Sequence, residues 1–146
     1  MLHLQPLIID RIRRQTQGFV TISNASVLAG LRDIGPLLPA CIVQPGAGEP
    51  SDNSGVLMPF LEVQDWDATI IVAHQSSQRD HGQTEQVAGC LMQAVVQALH
   101  RWSVEQPAMQ HQPFRYTGRD LPYYSAGYAE FTLHFAVKAV IGAASP

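Results

Sequence analysis

The chain has 146 residues, and 46% of them, about 67 positions, are apolar, so one domain can bury a sizeable core without metal or disulfide support. Charged residues make up only 14%, which excludes extended charged disorder, and a net charge of −3 excludes a broad cationic face for nucleic acid. The polar surface falls instead to fourteen glutamines, with Lys138 the single lysine.

The opening MLHLQPLIIDRIRR places Asp10 and three arginines where a signal peptide would continue its apolar run, so secretion is not expected. Apolar runs at Ala68–Ala73 and Ala139–Ala144 fall far short of the roughly 20 residues that span a bilayer, and a soluble protein is expected. Within the opening segment, Leu4, Leu7, Ile8 and Ile12 repeat at helical spacing, predicting an amphipathic helix over Leu4–Gln15 that Gly18 ends. Phe19, Val20 and Ile22 favour a short strand, and Asn24 or Ser26 can cap a brief helix through Arg32. Gly35, Pro36 and Pro39 break that helix, and Ala40–Val43, too short for another, reads as a buried strand.

The segment from Pro45 to Gly55 combines glycines, prolines and small polar or acidic residues, and predicts a long mobile loop. From Val56 the pattern turns to strand, with Pro59 confining the first part to an edge or bulge. Trp66, Ala68, Ile70 and Val72 then alternate with Asp67, Thr69, Ile71 and Ala73. The polar run from His74 to Gln83 reads as a solvated loop, with Asp80 and Gln83 resembling a capping box for the next helix. That helix, Thr84–Ser103, is the clearest of the chain: Val87, Leu91, Val95, Leu99 and Trp102 form one row and Ala88, Met92 and Val96 the next, while Gln86, Gln93, Gln97 and His100 face away. Pro107 and Pro113 bracket a glutamine-rich loop. Phe114–Tyr116 and the turn TGRDLP then open a hairpin leading into a strand with Phe131, Leu133, Phe135, Val137, Ala139 and Ile141 on one side and Glu130, Thr132, His134 and Lys138 on the other. One buried face and one polar face imply a single α+β domain over residues 1–146, an antiparallel or mixed sheet with helices packed on one side.

No metal, nucleotide or nucleophile motif accompanies this pattern. The six histidines are scattered, with no HExxH and no cysteine at ligand spacing, so neither a metal nor a cofactor is expected. GxSxG, GxxxxGK[ST] and GxGxxG are all missing. Cys41 and Cys90 stand in apolar segments and read as small core side chains. Asp65 and Asp67 share one strand face and read as solvent-facing carboxylates rather than an acid–base pair. Arg11, Arg13 and Arg14 suit a solvated helix face, a subunit contact or a phosphate contact. Tyr116, Tyr123, Tyr124 and Tyr128 crowd one hairpin, where tyrosines serve packing or an interface.

The order of elements, with PLIIDRIR near the start, the helix Val87–Trp102 and the stretch FRYTGRDLPYYSAGYAEFTLHF, resembles the tail terminator (tail completion) proteins of long-tailed bacteriophages and prophages. The resemblance implies an α+β subunit that assembles into a six-fold ring on the finished tail tube, halts its polymerisation and presents a surface to the head connector. It implies no catalytic residues. The partners it implies are further copies of the chain, the tail tube protein, a head connector or neck protein, and DNA in transient contact as it passes the lumen. A membrane is not among them, and the expected location is the virion tail, assembled in the cytoplasm of the bacterial host. The residues expected at interfaces are Arg11, Arg13 and Arg14 on the first helix, Gly46, Gly48, Glu49, Asp52 and Asn53 in the glycine-rich segment, and Tyr123 and Tyr124 in the hairpin. Two alternatives stand beside this reading: another neck or connector protein, and a small α+β enzyme or ligand-binding domain with its pocket between sheet and long helix.

Overall fold

The computed structural model describes residues 4–50, 60–74, 82–103 and 111–141. Helix α1 (Leu4–Gln15) has the predicted bounds, and Leu4, Ile8 and Ile12 are its buried residues. Its last turn closes on Thr16, whose amide and hydroxyl both donate to the Ile12 carbonyl, and the chain reverses at Gly18 with φ 101°, a region that favours glycine. Strand β1 (Thr21–Ser23) follows, and Asn24 then caps a 3-10 turn, Ala25–Leu28, through the Ser26 amide. The brief helix expected through Arg32 is thus a 3-10 turn that stops at Leu28, and a second 3-10 turn spans Gly35–Leu37.

The sheet is built from β1, β2 (Ala40–Pro50), β3 (Phe60–His74), β4 (Arg115–Arg119), β5 (Tyr123–Ser125) and β6 (Gly127–Ile141). Its order is β1-β2-β3-β6-β4, with β5 also on β6; β1 pairs parallel with β2 and the other pairs are antiparallel. The β3–β6 pairing runs unbroken from Phe60↔Ile141 to His74↔Gly127 and forms the spine of the molecule. On one face the even residues of β3 and the odd residues of β6, including Trp66, Ile70, Phe131 and Phe135, join α1 and α2 (Gly82–Leu99) in the main core. Burying each such large side chain stabilises the fold by about 1.5–3 kcal/mol. On the other face Ala40, Ile42 and Ile71 form a smaller cluster under Val27, Leu28, Ile34 and Leu38. The two 3-10 turns therefore cover part of the face opposite the α-helices, and this explains why Ile71, on the polar parity of β3, is apolar.

The structure departs from the sequence pattern in three further places. The loop predicted from Pro45 is strand as far as Pro50, with Gly48, Glu49 and Pro50 paired to Gln64, Val63 and Glu62 across a bulge between Pro45 and Gly48. Backbone pairing to a long neighbour needs no apolar side chains, and glycine is what permits it: a Cβ on Gly46 would lie 3.1 Å from Asp65 Cβ and 3.2 Å from its carbonyl oxygen. The rest of that segment, with Asp52 and Asn53, lies outside the described residues, as do Asp80 and His81. Secondly, the buried stripe of α2 is Thr84, Ala88, Leu91, Met92, Val95, Ala98 and Leu99, while Val87 is exposed and Val96 only half-buried. The helix also ends at Leu99 rather than Ser103. Arg101 adopts φ 68°, and the backbone of Arg101 and Trp102 turns away to bond with Phe114. Thirdly, Cys41 is buried as expected but Cys90 is exposed on α2.

Candidate assembly surface

Backbone groups at a sheet edge invite a further strand, and here several are taken by side chains of the same chain. Gln5 of α1 donates to the Val43 carbonyl at 2.9 Å, one residue past the last β1–β2 partners. Arg13 donates to the Ile22 carbonyl of edge strand β1 at 2.8 Å. At the opposite edge, His100 Nδ1 accepts from the Tyr116 amide of β4 at 3.2 Å. Arg11 points inward: its Nε donates to the Ala98 carbonyl in the last turn of α2, and its guanidinium lies over Trp102. Arg14 pairs with Asp10 one turn back, on the solvent side of α1. Of the three arginines expected to act together, the structure thus directs Arg11 and Arg13 to backbone carbonyls of other elements and leaves Arg14 in an exposed pair on its own helix.

The glycine-rich residues and the tyrosines stand in separate places. Gly46 and Gly48 belong to the bulged outer part of β2, with Glu49 next in the strand. Tyr123 is 58% exposed on β5, and Leu121, just before it, is 91% exposed. Tyr124 is half-buried and donates its hydroxyl to Glu85 of α2 at 2.8 Å; burial foremost, then Glu85, pushes its pKa up to about 12. Its ring also lies 5.0 Å from that of His74. His74 is therefore corrected from solvated loop to buried strand end, its Nδ1 2.9 Å from the Thr84 hydroxyl at the start of α2.

Sequence reasoning missed one polar constellation. His134 of β6 lies between Asp67 of β3 and Asp120 beyond β4, 2.7 Å from a carboxylate oxygen of each. Asp67 and His134 line a shallow recess of about 440 Å³ together with Asp65, Thr117 and Arg119. The alternation of β6 put His134 on the polar face, but only the register Asp67↔His134↔Gly118 brings the acids to it. No described group of three or more His, Cys, Asp or Glu residues is placed to hold a metal ion. None of the described helices is long and apolar enough to cross a membrane.

The fold is shared with virion proteins. A chain in the solved virion of a native gene transfer agent particle aligns over 94% of both chains with a TM-score of 0.65 and 16% identity, a likeness of fold. The profile of the phage tail terminator protein family matches residues 2–145, and the chain belongs to that family. It is thus a structural component of the virion tail. Among curated proteins none matches it.

Proposed function

We propose that the protein forms a six-fold homo-oligomeric ring that caps the finished tail tube, ends its polymerisation and offers its far side to the head connector. The observation that carries this reading is the family match over nearly the whole chain. The likeness of fold to a chain of an assembled gene transfer agent virion supports a place among other virion proteins. A cap works by specificity of assembly: one face binds the repeating tube end, and the other offers the next tube subunit no matching surface.

The surface chemistry is compatible with ring closure. The sheet ends in two unlike edges, β1 on one side and β4 with β5 on the other. Each carries large apolar side chains in solvent, Val20 beside β1 and Leu121 and Tyr123 at β5. Contact between unlike edges is head-to-tail, the geometry that closes rings when the rotation per subunit allows it. We assign Tyr123 and its neighbour Leu121 to subunit contacts, with Gly46, Gly48 and Glu49 on the outer part of β2 meeting the tube or a neighbour. Arg11 and Arg13 are assigned to holding their own subunit together rather than to DNA in the lumen, because both already donate to backbone carbonyls. Electron microscopy of tail tubes mixed with the protein tests the reading. Decorated tube ends and arrested elongation are expected; a protein that stays monomeric and never decorates a tube end overturns it. A free monomer alone does not, since the tube can template closure.

A further inference from the structure

On the sheet face opposite the α-helices, Asp67, His134 and Asp120 stand in line across three segments of the chain. His134 Nδ1 lies 2.7 Å from Asp67 Oδ1, and Nε2 lies 2.7 Å from Asp120 Oδ1. A neutral imidazole has one N–H and one lone pair, so it serves one carboxylate and turns its lone pair towards the other. An imidazolium donates to both. We propose that His134 is a proton-operated clasp that fixes the turn between β4 and β5 to the sheet, and with it the position of Leu121 and Tyr123.

The surroundings favour the charged form. Hydrogen bonds to Asp120 and then Asp67 hold the His134 pKa above the usual 6.5, against the opposing effect of burial. The other charged groups around the recess are Asp65 of β3 and Arg119 of β4. From β2 the register partner of Asp67 is the uncharged Gln44. The two acids are not held alike. Asp67 sits mid-strand, paired on both sides by β2 and β6, whereas Asp120 lies in a turn with its side chain 61% exposed. On loss of the proton the remaining N–H stays with Asp67, and Asp120 swings into water. The turn then rests on the Asp120 amide, which donates to the Thr132 carbonyl at 3.0 Å.

That amide reports on the clasp in the isolated subunit, whether or not a ring forms. Nuclear magnetic resonance of the intact subunit reads both nitrogens of His134 and the hydrogen exchange of Asp120 as pH is raised. Expected are two protonated ring nitrogens at pH 6.5, a midpoint above that of an ordinary histidine, and a fall of about tenfold in Asp120 protection through the midpoint, after correction for intrinsic exchange. Asp120→Asn lowers the midpoint and removes the step in exchange. A His134 midpoint at or below 6.5, or an Asp120 amide whose protection ignores the titration, overturns the proposal; the unmodified protein decides this even if the variant fails to fold.

Discussion

Arg11 Nε donates to the Ala98 carbonyl at 2.9 Å while its guanidinium lies 5.6 Å from the centroid of Trp102, so one side chain of α1 closes the end of α2. The last carbonyls of a helix lack partners within it and carry partial negative charge, which a cation there satisfies. Arg14, in the last turn of α1, pairs instead with the exposed Asp10. Arg11→Ala is therefore expected to lower unfolding stability by about 1–3 kcal/mol. Arg14→Ala should change it by less than about 0.5 kcal/mol. Urea unfolding of both variants checks the contrast, and equal effects would remove Arg11 from its structural role.

Two glycines should respond to alanine in opposite directions. Gly89 lies inside α2 with nothing within 4 Å of a built Cβ, so Gly89→Ala should stabilise by about 0.4–1 kcal/mol through the unfolded chain's lost freedom. At Gly46 the same methyl meets Asp65, including its backbone oxygen, and strand pairing must shift to admit it. Gly46→Ala should destabilise by about 1–3 kcal/mol. Thermal unfolding midpoints moving apart in these directions are the expected result.

How far these features are legible in sequence depends on whether they are periodic or relational. The bounds of α1 and the buried parity of β6 follow from spacing alone, because 3.6- and 2-residue repeats of Leu, Ile, Val and Phe leave one choice of face. The outer half of β2 is not periodic at all: PGAGEP has loop composition, and it is strand because β3 continues beside it. The end of α2 is hidden for a similar reason, since Trp102 continues the apolar spacing but the backbone at Arg101 turns to meet Phe114. The Asp67–His134–Asp120 alignment depends on register between β3 and β6, where Asp67 and His134 are 67 residues apart, and no local pattern encodes register.

The two thiols should separate cleanly. Burial pushes the Cys41 thiol up to about 12, whereas Cys90 is exposed on α2. Since the thiolate is the reactive form, a maleimide or disulfide reagent at pH 8 should modify Cys90 in the native protein and Cys41 only on unfolding. Cys41→Ser buries a hydroxyl in the main core and should cost about 1–3 kcal/mol, while Cys90→Ser should be nearly neutral. Mass spectrometry after timed labelling checks the order, and rapid native labelling of Cys41 would contradict its burial.

Stability should also depend on pH through His134. Its pKa is raised in the folded state, so the stabilisation it brings is fully present below the ordinary value of 6.5 and is lost as pH rises through the folded value. His134→Ala should therefore cost more stability at pH 6 than at pH 9. Denaturant titrations at both pH values read the difference, and a cost that is the same at both would show that only packing was lost.

Leu121 provides the sharpest separation of folding from assembly. At 91% exposed it contributes almost nothing to the core, so Leu121→Asp should leave the unfolding free energy within about 0.5 kcal/mol of the parent. An exposed leucine beside an exposed tyrosine is apolar surface whose burial requires another molecule, and a charge placed there is costly to desolvate. Leu121→Asp is thus expected to weaken self-association and reduce decoration of tube ends, with Tyr123→Asp acting in the same direction. Val87→Asp is the control, being an exposed apolar residue on α2 and not on either sheet edge. Sedimentation of the free protein and counts of capped tube ends by microscopy give the readout. If Leu121→Asp caps tubes as well as the parent, or Val87→Asp impairs capping equally, the β4 and β5 edge is not a subunit contact of the proposed ring.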